Sequence, residues 1–138
     1  MNKRTTAREL AMQALYQFDV QGEVMWECID QFFLENCPED ASVRQLAKQW
    51  AKRTWENVAL CDDLISEATI KWRMSRLSAV DKSILRLSVY QLKFCTDIPA
   101  KVVINEAIEL AKKFSTAQSP GFVNGVLDAV LKKLEIKI

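Results

Sequence analysis

The sequence predicts an all-α fold, a compact bundle of six to seven helices, and three observations carry that prediction. Apolar residues recur at helical spacing along almost the whole chain. Only three glycines and three prolines occur in 138 residues, which leaves little material for hairpin turns. Polar residues suited to capping precede most of the apolar stripes. The length suits one domain, residues 1–138, able to bury roughly two-thirds of the surface its unfolded chain exposes. The balance of 49% hydrophobic and 27% charged residues is that of a globular chain.

The elements follow in order. Thr6 and Glu9 have the spacing of a capping box, and behind them Ala7, Ala11, Ala14, Leu15 and Phe18 share one face up to a break at Gly22. Met25, Ile29, Phe32 and Phe33 make a second stripe, closed before Cys37-Pro38. Ser42 suits the cap of a third helix carrying Val43, Leu46, Ala47, Trp50, Thr54 and Val58. Asp62 or Asp63 suits the start of a fourth, with Leu64, Ile65, Ala68 and Trp72 inward. Ser78 and Asp81 form a box-like cap for a fifth, whose wide apolar arc (Val80, Ile84, Leu85, Leu87, Val89, Leu92) belongs to a helix surrounded by others. Pro99 opens a sixth helix with Val103, Ile104, Ala107, Ile108, Leu110, Ala111 and Phe114. Ser119-Pro120 reads as N-cap and first residue of the last, with Val123, Val126, Leu127, Val130, Leu131 and Leu134 inward.

The same residues argue against several function classes. Histidine is absent, which removes Ser-His-Asp and Cys-His catalysis and imidazole metal sites. Cys28, Cys37, Cys61 and Cys95 are scattered and read as free, mostly buried thiols of a reducing cytosol. The glycines at 22, 121 and 125 match no phosphate-binding loop. No run approaches the ~20 apolar residues of a membrane span, and the N-terminus lacks the core of a signal peptide. The expectation is a cytoplasmic, non-enzymatic binding protein with no cofactor and no metal.

Two segments are candidates for binding. Lys3, Arg4 and Arg8 form a basic N-terminal arm, with Gln13 and Tyr16 further along the same helix; cations suit phosphates and an aromatic ring suits a base. The loop from Ser115 to Phe122 leads into a helix start, where free amides suit an anion and Phe122 can stack or staple the helix to the core. A net charge of only +1 means that nucleic acid would be held by a local patch.

Three stretches together resemble the NusB family of transcription antitermination factors. They are Ala7-Arg8-Glu9-x-Ala11-x-Gln13-Ala14-Leu15-Tyr16; Arg76-Leu77 with Val80-Asp81-x-x-Ile84-Leu85-Arg86; and Ile104-Asn105-Glu106-Ala107-Ile108-Glu109-Leu110-Ala111-Lys112 followed by Phe122-Val123-Asn124-Gly125-Val126-Leu127. The resemblance implies two packed helical halves and no catalysis. It implies binding of boxA-type single-stranded RNA in ribosomal RNA transcripts, together with the ribosomal protein NusE, within the transcription elongation complex on RNA polymerase. Carried over, Lys3, Arg4, Arg8, Gln13, Tyr16 and Phe122 become the RNA-facing residues, and Asp81 with Arg76 the partner-facing pair. Asn105, Asn124 and Gly125 are expected to be structural, through buried amide contacts and close packing, and Glu106 through pairing on the helix surface.

This chain departs from the family pattern. Thr5 and Thr6 interrupt the arginine run, Gly121 stands where lysine is common, Ala100 where tyrosine is frequent, and Gln118 where acids are often found. Weaker RNA binding alone, and greater reliance on NusE, is the expectation. Two alternatives remain. One is a detached RNA-targeting module related to the N-terminal part of ribosomal RNA cytosine-5 methyltransferases. The other is a dimerising helical interaction protein, since some NusB relatives form homodimers.

Overall fold

The computed structural model describes residues 2–69 and 74–136, Ser75 by its backbone alone. Seven α-helices are present among them: α1 (Lys3–Gln21), α2 (Ile29–Asn36), α3 (Ala41–Glu56), α4 (Val58–Ala68), α5 (Ala79–Phe94), α6 (Ala100–Phe114) and α7 (Ser119–Lys133). Short 3-10 segments, Gly22–Cys28 and Met74–Arg76, precede α2 and α5. Trp72, expected in the fourth helix, lies outside the described residues.

The helices sort into two packed halves. α1, α2 and α3 pack on one another; α4, α5, α6 and α7 form the second group, and α5 joins the two by packing on α1 and α3. Every residue of α5 from Ser83 to Leu92 is buried, as the wide apolar arc demands. The predicted stripes supply the core: Leu15, Phe18, Phe33, Trp50, Ile65, Leu85, Val103 and Leu127 are all buried. Each such side chain withdrawn from water contributes about 1.5–3 kcal/mol before ordering costs are counted.

Several helix starts differ from the sequence expectations, and at α1 and α3 the reason is that an earlier side chain captures the free amides. Asn2, not Thr6, caps α1 by accepting from the Thr5 amide at 2.8 Å, and Glu9 pairs with Lys113 instead of closing a capping box. Asp40, not Ser42, caps α3, accepting from the Ser42 and Val43 amides at 3.0 and 3.2 Å. α4 begins at Val58, one turn before Asp62. Ser119 lies inside α7 rather than at its cap, which is Gln118. Ser78 does cap α5, accepting from the Asp81 amide at 3.1 Å, but the Asp81 carboxylate turns away from the box. Gly22, with φ of 78°, ends α1 in the left-handed region that glycine tolerates.

Candidate nucleic-acid and partner interface

The basic arm divides on folding. Lys3 and Arg4, in the first turn of α1, are exposed, and each faces an acid: Lys3 Nζ lies 3.3 Å from Asp40 Oδ2 and Arg4 Nη2 3.9 Å from Asp97 Oδ2. Arg8 is corrected. Its side chain is 3% exposed, with Nε donating to Gln91 Oε1 at 3.3 Å, Nη1 3.5 Å from Glu106 Oε1, and the guanidinium 5.4 Å from the Trp50 ring centre. It is thus a cross-link between α1, α3, α5 and α6, not a member of an exposed arm. Burial lowers its pKa, and the Glu106 carboxylate works against that shift. Proximity of Arg8 to Lys3 and Arg4 in sequence concealed this, since the helical turn carries it onto the face of Ala7 and Ala11.

Gln13 and Tyr16 do come together. Both are half-buried and line a hollow of about 290 Å³ with Met12, Phe32, Val80 and Phe114. Asn36 of α2 closes one side of it. Beside the hollow, Lys113 lies with Nζ 5.3 Å from the Phe114 ring centre, within range of a cation–π contact. Phe32, Phe114 and Lys113 were not singled out from sequence. The two rings fell on apolar stripes and read as core, and a lysine in the last turn of a helix, where Lys113 stands, is too ordinary to signal a site.

A second hollow, of about 220 Å³, brings together Arg76, Asp81 and Phe122, with Leu77, Thr116 and Gln118 among its walls. Phe122, expected to face RNA, and Asp81 with Arg76, expected to face a protein partner, therefore line one hollow. Asp81 organises it: Ser115 Oγ donates to Asp81 Oδ1 at 2.7 Å, and Ser119 Oγ to Asp81 Oδ2 at 3.1 Å. The Ser115 and Ser119 hydroxyls are 2.8 Å apart, and Thr116 Oγ1 is 3.0 Å from Ser119 Oγ. This ties the 115–118 connection to the start of α5. Phe122, half-buried, packs against the core at the edge of the hollow. Val80 lines the first hollow and Asp81 the second, and Phe114 and Thr116 divide likewise, so the start of α5 and the end of α6 with the residues after it contribute to both.

Three further expectations are corrected. Asn105 and Asn124 are exposed and make no buried amide contacts. Gly125 is exposed too, and a Cβ built there would meet nothing within 4 Å, so close packing does not require it. Glu106, by contrast, is tied into the structure, accepting from Thr5 Oγ1 at 2.8 Å as well as meeting Arg8.

Further along α5, Arg86 holds α1, α4 and α5 together. Its Nη1 donates to Asp19 at 2.8 Å and its Nε and Nη2 to Asp62 at 2.8 and 2.9 Å, a bidentate pairing. Burial acts to raise the Asp19 pKa, but hydrogen bonds from Arg86 and Lys82 outweigh it and leave the carboxyl below its ordinary value.

Against known proteins, residues 5–132 match the model of the NusB family. The chain belongs to the NusB family. It is 42% identical over 133 residues to the transcription antitermination protein NusB of Anaeromyxobacter dehalogenans, covering 96% of this chain and 93% of that one. The T. maritima NusB structure is similar at a TM-score of 0.85 and 36% identity, over 96% of this chain and 92% of that one. A crystal structure of antitermination factors NusB and NusE in complex with double-stranded RNA is similar at a TM-score of 0.86 and 28% identity, over 96% and 98% of the two chains. No helix among the described residues is long and apolar enough to cross a membrane, and no group of three or more metal-ligating side chains is gathered among them. For this NusB-family chain the two hollows are the candidate interface.

Proposed function

We propose that this NusB-family chain is a non-enzymatic, RNA-binding transcription antitermination factor of the cytoplasm. It engages boxA-type RNA together with a NusE-type ribosomal protein and acts on RNA polymerase. The observation that carries this reading is that Tyr16, Gln13 and Phe114 gather on one hollow and Phe122 and Asp81 on a second, both built on the start of α5. Aromatic rings beside amide and hydroxyl groups suit bases splayed from a single strand, which stack on the rings and hydrogen-bond at their edges. Arg76 and Asp81 at the rim of the second hollow offer a charged pair to the protein partner. A duplex presents its bases stacked inward, so single-stranded RNA fits the aromatic positions better than double-stranded RNA does.

The test is transcription in vitro on a template with boxA and a downstream terminator, using the cognate polymerase, NusE and accessory factors. The reading expects read-through to rise when this protein is added and to fall when boxA is scrambled. Read-through indifferent to the protein at saturating NusE would overturn it.

A further inference from the structure

The exposed cations with no carboxylate within 4 Å among the described residues, Lys52, Arg53, Arg76, Lys93 and Lys101, all lie off the N-terminal arm, and two of them are neighbours on α3. Lys3, Arg4, Lys112, Lys113, Lys132 and Lys133 each lie within 4 Å of a carboxylate. On the outer face of α3, Lys52 and Arg53 are exposed, and neither has a carboxylate within that distance among the described residues. Lys48, one turn before Lys52, shares its ammonium with Asp30 at 2.7 Å while keeping 42% of its side-chain surface exposed. These three cations line an open groove of about 790 Å³ with Gln45, Gln49, Asn57 and a single acid, Glu56.

We infer that the outer face of α3 is a second RNA-contacting surface, which holds the phosphodiester backbone of the strand flanking the element bound at the aromatic hollows. This inference rests on the RNA-binding reading above. Lys48 and Lys52, four residues apart, stand about 6 Å apart along the helix axis, and Gln45 and Gln49 repeat that step beside them. Cations with carboxamides between them match phosphate and sugar oxygens, and aromatic rings, which read bases, are absent from the groove lining. The surface therefore contributes affinity without sequence preference. Lys3 meets Asp40, the cap of α3, which places the start of α1 beside the start of the helix that carries the groove further along.

The experiment compares two RNAs in a salt series, a boxA-like single strand just long enough for the aromatic hollows and the same strand extended with uridines. The proteins are the intact chain, the double variant Lys52→Gln/Arg53→Gln, and the control Lys132→Gln/Lys133→Gln, which removes equal charge from α7. Thermal melts check that each variant is folded. The intact protein is expected to bind the extended RNA more tightly and with a steeper salt dependence. The α3 variant should lose that gain, its log–log slope on the extended RNA falling by about 1.4 for two lost contacts, with the short RNA unaffected. The α7 control should behave as the intact chain. Binding of the short RNA with no gain on extension, or a gain that survives the α3 substitutions, overturns this inference and leaves the main reading in place. Failure to bind either RNA, with or without NusE, overturns both.

Discussion

Arg8 of α1 and Glu106 of α6 meet in the interior, with Nη1 3.5 Å from Oε1 and the arginine side chain only 3% exposed. The same guanidinium donates to Gln91 and lies over Trp50, so one residue ties four helices. Arg8→Ala strands the half-buried Glu106 carboxylate and the Gln91 amide oxygen, at a cost of about 1–3 kcal/mol. Arg8→Ala should therefore lower the urea midpoint markedly, whereas Arg4→Ala, at the exposed helix start, should leave it nearly unchanged. Equal stability of the two variants would show that Arg8 is not the cross-link described.

Asp81 governs the presentation of Phe122. Asp81→Ala removes the acceptor of both the Ser115 and Ser119 hydroxyls, and Ser119 is buried. The hydroxyls then keep only one another and Thr116 as partners, and the loss of their bonds to a charged acceptor costs about 1–3 kcal/mol. Hydrogen exchange should quicken at the amides of residues 116–122 while α3 keeps its protection. Unchanged exchange in that segment would place the role of Asp81 in direct partner contact alone.

On the proposal that each ring stacks on one base, Tyr16→Ala and Phe122→Ala should each weaken RNA binding by about 1–3 kcal/mol, or roughly fivefold to 150-fold. Tyr16→Phe keeps the ring and should lose much less. Anisotropy titrations of the folded variants measure this; a Tyr16→Phe loss equal to that of Tyr16→Ala would assign the affinity to the hydroxyl instead.

Legibility in the sequence divided along a physical line. Stripes of apolar residues depend on helical period alone, and so Ala11, Leu15, Trp50, Leu85 and Leu127 were placed in the core correctly. Helix starts depend on which of several nearby oxygens wins an amide, and Asn2 and Asp40 won over Thr6 and Ser42. The hollow around Tyr16 was half legible, because its ring and Gln13 sit on one helix, but Phe114 and Phe32 reach it only through packing. Arg8 was misread for the converse reason. A charged residue is rarely buried unless paired, and its partner Glu106 is distant in sequence.

Asp40 gives the fold a defined acid response. The Ser42 hydroxyl and the Val43 amide, with Lys3 adding to them, hold its carboxyl down to about 2. A carboxyl with a folded value below its unfolded one, near 3.8, stabilises the fold above that pH. That contribution is lost as the pH falls from about 4 through about 2. Carbonyl-detected NMR titration should find the Asp40 midpoint near 2, and Ser42→Ala should raise it; a midpoint at the ordinary value in the intact protein would contradict the capping geometry.

Thiol reactivity checks the packing. Burial pushes the Cys61 thiol up to about 12, and burial with Glu39 nearby also raises Cys37. At neutral pH exposed Cys28 should react with a disulfide reagent well before either buried thiol. Fast labelling of Cys61 in the native protein would contradict the close packing of α4 on α5.

The central claim, RNA recognition shared with a protein partner, is tested most directly by anisotropy titration of a boxA-like single strand with and without NusE over a salt series. Tighter binding by the pair than by either protein alone is the predicted result. Its log–log salt slope should be about −2 to −3, as expected for three or four phosphate contacts. Binding by this protein alone that equals binding by the pair would contradict the shared site.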